Sequence, residues 1–186
     1  VALTYAKGAP RVVAQNKKNP NCWAAALECW IAAQKPKTIF TSLAAGLSQK
    51  DLAIHYKDHV HASGGLLKSG LDRIVFDLQM GFDVLLQPKI VFTGAYIHRK
   101  LAGKGYLWCA FGGNSETTTQ MGHVVVIYGI DDAYTSHSAV RYMDPWHPGN
   151  IGKPIDYFQD SKSMLVAWAE REEVWFQYMK KNWKLP

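Results

Sequence analysis

No stretch of this chain reaches the roughly 18 consecutive apolar residues that a membrane-spanning helix needs, and the N-terminus lacks the basic-then-apolar pattern of an export leader. The sequence therefore gives no reason to expect a membrane partner. It opens at Val1 without a methionine, which points to a processed protein or to a domain taken from a longer chain. Cysteine is scarce, three in 186 residues, and the odd number leaves at least one thiol free. A chain of this length, 48% hydrophobic, can bury a core without staples, so no disulfide framework is expected. Cys22 and Cys29 would stand about 10 Å apart along a helix, too far to pair. The close cysteine pairs of a structural zinc site are also missing. His55, His59 and His61 form an HxxxHxH cluster, but no nearby cysteine or acid completes a ligand set, so a solvated helix end is the better reading. Neither metal nor cofactor is expected.

Clustered positive charge is lacking too. The formal net charge is +6, yet the basic residues are dispersed, and the densest group, Lys180, Lys181 and Lys184, reads as the end of a helix charged favourably against its dipole. No nucleic-acid motif accompanies the charge, so no nucleic-acid partner is expected. There is no internal repeat, low-complexity tract or clear linker, and one domain spanning residues 1–186 is the expectation.

What is present falls into three parts. Residues 22–34 predict a helix, opened by the capping type Asn21, carried by alanine and leucine, and stopped by "KPK" at 35–37. Trp23, Leu27 and Trp30 share one stripe and Ala26 and Ala33 the next, which predicts burial on most sides. Residues 48–102 read as mostly helical: "SQKDLAIHY" opens on a serine cap, and Leu67, Leu71, Ile74, Val75 and Leu78 follow a helical period. "GFDVLLQP" reads as a short strand. "TGAYIHRKLAGKG" then predicts a helix capped by Thr93 and ended by Gly103 or Gly105. Past residue 105 the period changes, and 106–111, 123–130 and 139–144 predict an antiparallel sheet, giving an α+β fold. The segment from Ser161 onward, with Leu165, Trp168, Val174, Trp175 and Tyr178, reads as helix again.

Two positions carry reactive potential. Cys22 stands at the first turn of its helix, where the positive end of the dipole favours the thiolate; Cys29 and Cys109 read as core thiols. His98, His137 and His147 fall in polar segments, whereas His123 starts an apolar strand. Folding 123–130 against 139–144 about the middle of the DDAYTSHS connection places residue 123 opposite roughly 145, close to Asp144. An imidazole held by a carboxylate is oriented and stabilised as imidazolium, the third-group role of nucleophilic triads.

A glutamine shortly before Cys-Trp-Ala-Ala at a helix start, Gly-His leading into a valine-rich strand, and then Asp-Pro-Trp together resemble the papain-like cysteine peptidases, and among them the compact bacterial members that serve as effectors and toxins. The resemblance runs from about Gln15 to Trp146. It implies the papain-like fold, with an N-terminal catalytic helix packed on an antiparallel sheet. Cys22 would be the nucleophile, His123 the general base, and Asp144 its orienting partner, where papain itself has asparagine. Gln15 would share the oxyanion hole with the Cys22 backbone N–H. Trp23 reads as core, and Trp146 either shields the His–Asp pair or packs.

The reaction implied is acyl transfer, with thiolate attack on a carbonyl, a held oxyanion, and protonation of the leaving amine by the imidazolium. A cysteine endopeptidase acting on a protein substrate is the leading expectation. The alternatives are a related Cys-His-Asp acyl-transfer enzyme, whether a deamidase, a transglutaminase-like enzyme or a peptidoglycan amidase, and an inactive binding module. The resemblance to bacterial effector peptidases, together with compactness, free thiols suited to a reducing cytosol and only 14 residues ahead of Gln15, implies a secreted or delivered bacterial effector or toxin, the alternative being a housekeeping or externally secreted peptidase with its leader removed. Such a protein would act as a monomer in a target-cell cytosol and be restrained in its producer by a cognate inhibitor or immunity protein.

Overall fold

The structure, a computed structural model, describes residues 3–16, 21–34, 47–78, 80–112 and 122–169. Among the described residues seven strands form one sheet in which every pairing is antiparallel. They are β1 (Tyr5–Ala6), β2 (Met80–Leu85), β3 (Leu107–Phe111), β4 (His123–Asp131), β5 (Ala139–Asp144), β6 (Gly149–Pro154) and β7 (Met164–Ala169). Their order is β2-β7-β3-β4-β5-β6, with β1 pairing the far end of β4 beside Gly129 and Ile130. Among the helices are α1 (Cys22–Ala33), α2 (Gln49–His55), α3 (Lys68–Asp77), α4 (Pro88–Val91), α5 (Gly94–Lys104) and α6 (Asp156–Gln159).

The sheet is covered on both faces, which explains its sequence pattern. Trp108, Ala110, Val124, Val126, Met143, Leu165 and Ala167 belong to one apolar cluster, together with α1. Their neighbours Cys109, Val125, Ile127, Tyr142, Val166 and Trp168 belong to a second, with Ile97 and Leu101 of α5. A strand buried on both sides has no polar face, so β3 and β7 read as continuous apolar runs.

That property accounts for the expectation the structure corrects. Met164–Ala169 is a strand, hydrogen-bonded to β2 on one side and β3 on the other, and not the start of a helix. Six consecutive apolar residues carry no period of their own, so pattern alone cannot separate strand from buried helix. Leu165 and Trp168, expected as packing residues of a helix, belong to opposite cores of the sheet. Residues 170–186, including Val174, Trp175, Tyr178 and the lysine group, lie outside the described residues, as does the "KPK" stop at 35–37.

The remaining elements follow local chemistry. Trp23, Leu27 and Trp30 on α1 are all fully buried, as the wide apolar face requires. Ser48 forms a complete capping box with Asp51 at the start of α2. Thr93 caps α5 through the Tyr96 N–H, and the helix ends at Gly105, whose φ of +84° only glycine adopts freely. Leu67 stands at the N-cap of α3 rather than inside it. No helix among the described residues is long and apolar enough to cross a membrane.

Candidate active site

Cys22 is the first residue of α1. Asn21 is the N-cap by position, but its side chain makes no capping hydrogen bond; its carbonyl accepts from the Ala24 and Ala25 N–H groups at 3.0 and 3.1 Å. The Cys22 N–H, as the first of the helix, has no intrahelical acceptor and points at the space before the helix. The helix itself is fixed by its tryptophans: Trp23 Nε1 donates to the Gly64 carbonyl at 3.2 Å and Trp30 Nε1 to that of Tyr106 at 2.9 Å. The thiol is thus mounted on a rigid, buried element. It is 8% exposed, whereas Cys29 and Cys109 are sealed. Burial pushes the Cys29 thiol up to about 12 and raises that of Cys109 as well, which leaves both protonated and inert.

His123 opens β4, and Asp144 closes β5. The ladder pairs Val126 with Met143 and Ile127 with Tyr142, then slips by one residue at Tyr128. Continued to the strand ends, the register sets residue 123 opposite 146 and leaves Asp144 on the diagonal, on the same face. The bond closes regardless: His123 Nε2 lies 2.8 Å from Asp144 Oδ1. Asp144 is buried, and the Asx-type turn through Pro145 brings it the backbone N–H groups of Trp146 at 2.8 Å and His147 at 3.4 Å. Burial alone would raise its pKa, but the His123 hydrogen bond and charge and these two N–H groups outweigh burial and hold the carboxyl below its usual value.

For His123 the balance runs the other way. Burial would lower its pKa; the Asp144 hydrogen bond, the neighbouring Cys22 thiol and the Asp144 charge overcome this and lift it to about 9. Nε2 is taken by Asp144, and Nδ1 is buried without an aligned partner of its own, so it is the nitrogen left for the thiol. Such loose geometry in a resting site tightens when a reacting group enters. The ring rests edge-on against Phe111 at 5.7 Å and Trp146 at 6.1 Å. Trp146 is 57% exposed and forms a wall of the site rather than core.

Gln15 arrives from a segment without regular structure. Its N–H donates to the Pro145 carbonyl at 3.0 Å, which ties it beside the turn after Asp144, and its buried side-chain Oε1 has no hydrogen-bond partner among the described residues. A cavity of about 460 Å³ lies alongside, lined by Asn16, Asn21, Gln49, Ala53, Ile54 and Lys57 among others. All four residues singled out in the sequence therefore stand at one end of the sheet. The backbone amides of Trp146 and His147 were not foreseen, although an aspartate before proline is itself a turn signal.

The histidine cluster does not converge. His55 ends α2 and His59 lies in the following 3₁₀ turn (Lys57–His59), so the two do not share a helical face, and His61 Nδ1 bonds Ser63 at 2.8 Å. Among the described residues no group of three histidine, cysteine or acidic side chains is placed to hold a metal ion.

No individual curated protein matches the chain. The family model described as papain-like cysteine protease AvrRpt2 does, over residues 10–163, a span that contains Gln15, Cys22, His123 and Asp144. A helix-terminal thiol beside a carboxylate-held imidazole, on a mixed helical and antiparallel-sheet fold, agrees with that match, and the chain belongs to the AvrRpt2 family of papain-like cysteine proteases.

Proposed function

We propose that this protein hydrolyses peptide bonds through a Cys22-His123-Asp144 triad, with Gln15 and the Cys22 N–H as oxyanion donors. The observation that carries the reading is the position of His123, with Asp144 at 2.8 Å on Nε2 and Cys22 acting on the same ring. An imidazole raised to about 9 is protonated at neutral pH and stabilises a thiolate beside it. The Cys22 thiolate attacks the scissile carbonyl carbon, and the C–S bond forms as the carbonyl π electrons move onto oxygen. That oxyanion is met by the Cys22 N–H at the helix start and by the Gln15 side-chain amide. The tetrahedral adduct collapses with cleavage of the C–N bond, and His123 gives its proton to the leaving amine. His123, now neutral, takes a proton from water, which attacks the thioester and regenerates the thiolate–imidazolium pair. Asp144 keeps its charge throughout and fixes the ring.

On this reading α1 is the catalytic helix and the chain is a single peptidase domain. The biological reading is a delivered bacterial effector, active as a monomer on a protein in the target-cell cytosol and restrained in its producer by an inhibitor covering Cys22 and His123. Membership of the AvrRpt2 family supports it, and the free thiols suit a reducing compartment.

A cysteine-directed epoxide followed by peptide mapping tests the chemistry. The expected adduct is on Cys22 alone; no adduct there would favour another acyl-transfer enzyme or an inactive module. Mapping of new protein N-termini with wild type against Cys22→Ala should then reveal the substrate. Expression in bacterial and eukaryotic cytosol tests delivery: growth arrest by wild type and not by Cys22→Ala supports the effector, and harmless active enzyme in both rejects it.

A further inference from the structure

We propose that Gln49 is the positioning residue of the oxyanion site, holding Gln15 in place relative to the helix that carries Cys22. The inference rests on the reading of Gln15 as an oxyanion donor. Gln15 belongs to a stretch, residues 7–16, in neither helix nor strand, so no ladder fixes its backbone. Gln49 supplies one. Its side-chain Nε2 donates to the Ala14 carbonyl at 2.8 Å, and its Oε1 accepts from the Asn16 N–H at 3.2 Å. Donation to residue 14 and acceptance from residue 16 is the pattern by which a parallel strand grips the residue between them. One side-chain amide thus does for Gln15 what a neighbouring strand would do. The N–H of Gln15 itself is bound by Pro145 on another side.

The grip is referred to the nucleophile's helix. The Gln49 backbone N–H donates to Glu28 Oε2 at 2.7 Å, and Glu28 stands on α1, six residues beyond Cys22. The other oxygen of Glu28 receives Arg11 at 2.6 Å, which anchors the same irregular stretch a second time. A donor serves the transition state only when it waits within a few tenths of an ångström of where the oxyanion forms. The Glu28-Gln49 brace sets that spacing between a loop and a helix that share no backbone pairing. Glu28 is 15% exposed at its side chain, and its bond from the Gln49 N–H is partly buried, whereas the Arg11 bond is exposed.

The experiment is steady-state hydrolysis of an internally quenched peptide library by wild type, Gln15→Ala, Gln49→Ala, Gln49→Glu and the double variant Gln15→Ala/Gln49→Ala, each checked for folding by its melting curve. Loss of an oxyanion donor costs about 10² to 10³ in turnover, and a loosened one about tenfold or more, so Gln49→Ala should lower kcat by at least about tenfold with KM within about twofold. Gln49→Glu keeps an acceptor for Asn16 but sets a carboxylate against the Ala14 carbonyl; it should fall in the same direction, and it carries the test if Gln49→Ala does not fold. The double variant should be no slower than Gln15→Ala, since Gln49 acts through Gln15. A wild-type kcat in a folded Gln49 variant, or multiplicative losses in the double variant, would overturn the proposal. Should Gln15→Ala itself turn over normally, the oxyanion reading of Gln15 falls, and the positioning role falls with it; a slow Gln15→Ala beside a normal Gln49→Ala rejects the positioning role alone.

Discussion

Replacing Asp144 by asparagine removes one charge from the site and almost nothing else. The oxygen that accepts from His123 and from the Trp146 and His147 N–H groups can be kept, so the geometry should survive while the carboxylate's hold on the imidazolium does not. A hydrogen bond to a charged group is worth about 1.5 to 3 kcal/mol, and one pH unit corresponds to roughly 1.4 kcal/mol. The midpoint of His123 should therefore drop from about 9 by about one to two pH units, the part contributed by Cys22 remaining. Two assays read it: the imidazole titration by NMR, and the alkaline limb of peptide hydrolysis, which reports loss of the proton that His123 must give away. Stability should move with it. A pKa raised above the 6.5 of an unperturbed histidine stabilises the fold fully below that value, and the contribution disappears as pH rises through about 9. Wild type should lose this stability across that window, and Asp144→Asn should show a flatter dependence there. An unmoved midpoint and an unmoved alkaline limb in the folded variant would refute the claim that the carboxylate holds the imidazolium.

Alkylation of the folded protein should label Cys22 and spare Cys29 and Cys109; Cys29→Ala should keep its turnover, and a folded but inactive Cys29→Ala beside an active Cys22→Ala would reverse the assignment. Gln15→Ala should fold normally and turn over about 10² to 10³ times more slowly with little change in KM; unchanged turnover would move the oxyanion role elsewhere. Ser48→Ala, which breaks the capping box of α2, should cost about 1 kcal/mol in denaturant unfolding, and no measurable change would mean the cap carries no weight.

The sequence made the pairing of His123 with Asp144 legible because both sit at the ends of strands joined by a short connection, where register is a matter of counting. The count missed by a residue, since the slip at Tyr128 leaves no mark in a valine-rich strand, and the diagonal contact absorbed the error. The place of Cys22 at the start of its helix was legible from the capping residue and the alanine-rich run. Gln15 was not: it has no period and no cap, and only the family resemblance singled it out. Gln49 could not have been found, because what relates it to Ala14 and Asn16 is the docking of α2 against α1 across 33 and 35 positions of chain. β7 failed for the opposite reason. Its environment, apolar above and below, erased the alternation that would have marked it as a strand.

The two-sided sheet has one more consequence. Cys22 belongs to the apolar cluster on one face, while His123 leans on Phe111, which belongs to the cluster on the other. On the proposed triad, the nucleophile and its base are thus guests of different compartments, brought together where the sheet ends. A chain that has condensed one compartment and not the other presents a thiol without a base, or a base without a thiol. On the proposed triad, activity needs both compartments formed, and a partly unfolded copy would lack it.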